Sequence, residues 1–152
     1  MRVFYQIINN VKEASLSRVI NPEKTGRDRI QYQRAIILAL RELMVQTEVN
    51  AVTYDLSAFI IIMLEAIDDS IERSVLAWEK RGYWLKADRF RQEWLWAGDL
   101  ARRMKPAVFS GDWAQVGVVA AQVATRLGQV KVPVRHGLGT PWIGAWAKIS
   151  KQ

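Results

Sequence analysis

YDLSAFIIIMLEAIDDSIERSVLAWEK (residues 54–80) and YWLKADRFRQEWLWAGDLARRMK (83–105) stand on either side of Arg81-Gly82. In the first, Ile60, Leu64, Ile67, Ile71, Val75 and Trp78 recur at helical spacing. In the second, Tyr83, Ala87, Phe90, Trp94, Ala97, Ala101 and Met104 alternate steps of four and three, the seam of coiled-coil-like packing. Gly82 takes positive φ without a Cβ penalty, and so short a connection leaves only an antiparallel hairpin. Folding the two stretches about Gly82 sets Val75 against Phe90, Ile71 against Trp94, Ile67 against Ala97, and Glu79 near Lys86. Apolar meets apolar and acid meets base. The reading is two helices over about 54–81 and 84–105, the second ended by Pro106.

The flanks continue the helical spacing. Phe4, Ile7, Ile8, Val11 and Val19 share a face in a first segment that Asn21-Pro22 stops. Thr25 followed by Asp28 resembles a capping box for a helix to about Val49, with Ile30, Ile37, Leu40 and Met44 inward. Asn50 to Thr53 form a short connection. Beyond the hairpin a helix starts near Ser110 or Asp112 and runs to Leu127, with Asp112 and Gln115 a cap-like pair and Trp113, Val116, Ala120, Val123 and Leu127 on its face. Gly128 closes it. The remainder, QVKVPVRHGLGTPWIGAWAKISKQ, holds two of four prolines and three of nine glycines, so most of it is irregular. Thr140-Pro141 opens a short helix over Trp142–Ile149. The expectation is one all-α domain over 1–152: a bundle of four to five helices, the hairpin central, with a basic, Trp-containing tail at 129–152.

Half of the 152 residues are apolar and 24% are charged, a globular balance. The longest apolar run, Ala58–Leu64, is far short of the roughly 20 residues a bilayer span needs. No N-terminal stretch has the continuous apolar core of a secretory signal, which points to the cytoplasm. There is no cysteine, which removes disulfides, thiolate metal sites and cysteine nucleophiles. Net charge is +7, and after residue 100 eight Lys/Arg face one acid, Asp112. Such a basic end attracts phosphate backbones, anionic surfaces or acidic partners.

The most enzyme-like cluster is Glu65, Asp68, Asp69 and Glu72 on one helix face, where carboxylates on adjacent turns suit Mg²⁺. A metal site there needs a second acidic pair. The facing helix offers only Asp88, Glu93 and Asp99, with Lys86, Arg89 and Arg91 among them. A solvated or salt-bridged face is the simpler reading, and no metal or cofactor is assigned. The one histidine, His136, excludes multi-histidine zinc and di-iron motifs. Phosphate-binding glycine loops and a GxSxG elbow are absent.

Tryptophan is abundant, seven residues. Trp78 and Trp94 fall on core stripes; Trp84 and Trp96 fall off the seam and suit packing or a homodimer surface. Trp142 and Trp146 share one face in the tail, and with Arg102, Arg103, Lys105, Arg126, Lys131 and Arg135 they form a candidate partner or nucleic-acid surface. The alternative is that both indoles fold back onto the bundle. The leading functional expectation is a non-catalytic interaction or scaffold subunit that self-associates. Nucleic-acid binding through the basic last third is the alternative, and a Mg-dependent enzyme using residues 65–72 the third.

Overall fold

The computed structural model describes residues 22–151. Five helices occupy them: α1 (Pro22–Met44), α2 (Ala51–Lys80), α3 (Trp84–Ser110), α4 (Trp113–Arg126) and α5 (Ala145–Ser150). No strand occurs among the described residues, and the molecule is an all-α bundle. The segment expected over residues 1–20 lies outside the described residues.

α2 is the centre. Asn50 starts it through a reciprocal cap: its side chain accepts the Val52 and Thr53 N–H groups, and its own N–H donates to the Thr53 hydroxyl. From Leu56 to Leu64 nearly every side chain is buried, as expected of a helix that is apolar all round. Further on the buried stripe narrows to Ile67, Ile71 and Val75, and the acidic residues emerge on the other side. Gly82, at φ 81°, turns the chain. The Tyr83 N–H reaches back to the Trp78 carbonyl and the Gly82 N–H to Glu79, a Schellman closure.

α3 returns antiparallel along α2, as the hairpin reading requires. The Trp78 and Phe90 rings meet edge to face at 4.8 Å, and Ala87, Ala97, Ala101 and Met104 are buried. Two details differ. Glu79 pairs with Arg91 at 3.4 Å and not with Lys86, whose ammonium lies 4.7 Å over the Trp78 ring. Arg91 also reaches Glu72, so its planar fork bridges two acids two turns apart, a span better suited to guanidinium than to an ammonium. Second, α3 passes through Pro106 and ends at Gly111, φ 72°. Pro106 and Arg102 are both exposed, so solvent reaches the helix on the side where the proline breaks its hydrogen-bond ladder. Burial of Ala107 and Val108 one step on rewards continuation.

α1 lies antiparallel on α2, with the Arg29 guanidinium donating to the Ser70 hydroxyl at 3.4 Å. It begins at Pro22, where a missing N–H costs a helix nothing, so Thr25 and Asp28 lie inside it and do not form its cap. Its inward stripe is Tyr32, Ala35, Ile36, Ala39 and Leu40. Of the residues expected inward, Leu40 is buried and Ile37 half-buried, while Ile30 and Met44 are exposed. Ile30, Ile37 and Met44, seven residues apart, lie on a stripe offset from that buried face, so they are exposed or only half-buried.

α4 matches its expected span. The Asp112 side chain accepts the Gln115 N–H at 3.2 Å, and Val116, Val119, Val123 and Leu127 face inward. α5 is shorter than expected and is not capped by Thr140. Its first N–H groups are taken from another element: Asp55 of α2 accepts from Gly144 and Trp146, each at 3.0 Å. Trp142 is buried, and Trp146 packs between Tyr54 (4.8 Å) and Phe109 (5.0 Å).

Candidate interaction surfaces

The acidic face is met by cations. Glu65 pairs with Lys105 at 3.7 Å and Glu72 with Arg91 at 3.4 Å. Burial raises the Asp69 carboxyl above its ordinary value, with Arg73 opposing the rise. Burial likewise raises Asp68, which stands against Gly98 of α3 within the field of Arg102. Among the described residues no three His, Cys, Asp or Glu side chains converge as metal ligands would. Glu65 and Glu72 are engaged in cross-helix pairs with α3, whereas Asp68 and Asp69 are governed chiefly by burial.

The basic residues expected to act together are dispersed over several contacts. Arg102 pairs with Asp99 one turn away, and Lys105 holds Glu65. Arg103 donates to Gln122 of α4 at 2.8 Å, and the Arg126 guanidinium lies 6.0 Å over the Trp96 ring. The backbone carbonyl of Lys131 accepts from Arg34 of α1, fixing the start of the tail, while Arg135 is exposed further along. His136 accepts the Leu138 N–H through Nδ1 at 3.0 Å, a local turn contact. Trp142 and Trp146 are consumed by packing on the bundle, the folded-back arrangement. Arg103, Arg126 and Trp96 do share a recess, a groove of about 450 Å³ between α3 and α4 that Gln122 and Asp99 also line.

Another groove, about 360 Å³, lies between the last turns of α1 and the flank of α4. Leu40, Leu43, Met44, Gly117, Ala120, Ala121 and Ala124 line it, without one charged side chain. The composition of α4 makes this face unusual. WAQVGVVAAQVAT carries no charge before Arg126, yet Ala114, Gly117, Val118, Ala121 and Ala124 face outward. Solvent-facing helix surfaces ordinarily carry charged side chains, whereas this one carries none before Arg126 and only Gln122 and Thr125 as exposed polar side chains. Met44, 80% exposed, and Val45 project beside the groove. Composition alone gave the signal for this face, through the thirteen uncharged positions.

Among the described residues no helix is long and apolar enough to cross a membrane. No protein-family model matches the chain, and no curated protein or solved structure matches it significantly.

Proposed function

We propose that the protein is a non-catalytic helical interaction subunit that self-associates through the outer face of α4. The observation that carries this reading is the uncharged, outward-facing surface of α4 beside the apolar groove at α1. A second copy suits it because groove and ridge lie side by side on one surface. Gly117, Ala121 and Ala124 leave a hollow, and Leu43 and Met44 stand beside it. In a twofold arrangement each copy offers its ridge to the other's hollow, the self-complementarity an isologous interface demands. The chain's net charge of +7 opposes association elsewhere on the surface, whereas this face adds no repulsion. Light scattering on the full chain tests it, against an α4 variant carrying a charge on that face.

A second reading, nucleic-acid binding, rests on the α3–α4 groove, where Trp96 is flanked by Arg103 and Arg126. Aromatic rings between cations stack bases and hold phosphates. Fluorescence anisotropy with single- and double-stranded DNA and RNA across a salt series tests it. Arg103→Gln/Arg126→Gln should weaken binding and flatten its salt dependence. Equal binding by both chains, or none at low salt, removes the reading.

A further inference from the structure

The turn of the α2–α3 hairpin carries apolar and basic side chains together. Tyr83, Trp84 and Leu85 are exposed there, Trp84 and Leu85 at 64% each. They border an open recess of about 670 Å³ backed by Trp78 and Phe90. α4 does not cover this end. Its last residue, Arg126, lies 6.0 Å over the Trp96 ring, so about three turns of α3 stand beyond it. Exposed apolar patches rimmed by polar residues mark contacts with protein or with membrane.

The rim favours membrane. Lys80, Arg81, Lys86 and Arg89 are all exposed around the turn, and Lys86 and Arg89 line the recess. Of the acids at this end, Glu79 is held by Arg91, which leaves Asp88 and Glu93 against the four cations. KRGYWLK (80–86) therefore sets Tyr, Trp and Leu directly between cations within one tight turn. Tryptophan and tyrosine favour the headgroup level of a bilayer, and leucine the acyl boundary beneath it. Lysine and arginine carry long apolar stems, so their charged ends stay among lipid phosphates while neighbouring rings go deeper. A folded acidic partner needs fixed pairing geometry, whereas a fluid anionic surface needs only this composition at one projecting end. We propose that the hairpin turn docks peripherally on anionic lipid bilayers, inserting Trp84 and Leu85 at the headgroup–acyl boundary with the four cations among the lipid headgroups. The face proposed for self-association lies elsewhere: α1 runs from Arg29, beside Phe90, to Met44 at the α4 groove, so the two surfaces are tested separately.

Co-sedimentation of the full chain with phosphatidylcholine vesicles, and with vesicles holding roughly one third phosphatidylserine, tests the proposal. Binding is expected with phosphatidylserine and not without it, and should weaken as salt rises. Each cation near an anionic surface strengthens binding about fivefold, so Arg81→Gln/Arg89→Gln should weaken it at least about tenfold. Trp84→Ala/Leu85→Ala should do the same through lost apolar insertion. All four side chains are exposed, so both variants should keep the parent's helicity and thermal stability. The chain has no cysteine, so an environment-sensitive dye on Leu85→Cys reports from the turn alone. Its emission should shift to the blue on phosphatidylserine vesicles and be quenched by spin labels placed shallowly in the acyl chains. Three results would overturn the proposal. Failure to sediment with phosphatidylserine at low salt would return the turn to a protein contact. Sedimentation unchanged by Trp84→Ala/Leu85→Ala would place lipid binding on another basic surface. A dye that stays in water on vesicles that do bind the protein would exclude insertion at Leu85.

Discussion

Gly98 of α3 stands against the carboxylate of Asp68 on α2: a Cβ at position 98 would lie 2.7 Å from Asp68 Cγ and Oδ1. A buried glycine within a helix ordinarily costs about 1 kcal/mol relative to alanine. Here it admits a carboxylate into the seam between the two longest helices. The two residues should therefore be coupled. Gly98→Ala is expected to destabilise the protein by ~1–2 kcal/mol while Asp68 is present. In an Asp68→Ala background the same change should be neutral or stabilising by up to ~1 kcal/mol. Urea unfolding of the four chains gives the coupling directly; additive effects would show that Asp68 simply swings away.

Asp68 should also leave a trace in pH dependence. Its carboxyl is raised chiefly by burial, so the folded protein holds that proton more tightly than the unfolded chain. The corresponding stability is present below the ordinary carboxylate range and is lost as pH rises through the raised value. Asp68→Asn, which cannot ionise, should gain on the parent as pH moves from about 3 to 7. Denaturation midpoints of both chains across that range provide the check, and a constant gap would speak against burial as the cause.

Tyr32, 2% exposed in the α1–α2 interface, is pushed up to about 12, first by burial and then by Asp28, with Asp69 adding and Arg73 opposing. Stability from the protonated phenol is complete below about pH 10 and falls as pH rises toward 12. Relative to Tyr32→Phe, the parent should lose ~2–3 kcal/mol across that window. Chemical denaturation at pH 9 and at pH 12, with Tyr32→Phe in parallel, measures this difference of differences and cancels the other groups that titrate there.

Asp55 holds the tail from across the molecule by accepting the Gly144 and Trp146 N–H groups. Asp55→Ala should cost ~1–2 kcal/mol, as for loss of a helix cap, with Asp55→Asn intermediate. Hydrogen exchange at Gly144 and Trp146 should speed up in the alanine variant while the α2–α3 amides keep their protection. Unchanged exchange at those two amides would mean that ring packing alone secures α5.

What the sequence disclosed and what it withheld divide along the reach of each interaction. The 54–105 hairpin was legible because its evidence is local: a stripe on each side of Gly82 and a turn too short for any other path. The same holds for α4, where Asp112 caps Gln115 three residues on. The Asp55 cap joins positions 89 and 91 residues apart, and nothing near Thr140-Pro141 announces it. The inward face of α1 runs through Tyr32, Ala35 and Ala39, residues that a ranking by hydrophobicity places below Ile30 and Met44. Pro106 read as a stop because its local penalty is plain, whereas the offsetting burial of Ala107 and Val108 is tertiary. Acidic and basic residues were visible as groups, but their pairing, Glu65 with Lys105 and Glu72 with Arg91, follows only from the hairpin's register in space. The α3–α4 groove needed two helices to be placed before Trp96, Arg103 and Arg126 could share it.

Self-association through α4 is the central claim, and light scattering coupled to size-exclusion chromatography tests it most directly. The full chain, 17.4 kDa as a monomer, should elute as a dimer in the tens of micromolar and below, as expected for an interface of roughly 1,000 Å² or more. Ala121→Glu/Ala124→Glu puts two good helix formers at exposed positions, so the variant should keep its helicity and thermal stability yet run as a monomer. A parent chain that stays monomeric at high concentration would contradict the claim, and so would a dimer that tolerates both glutamates.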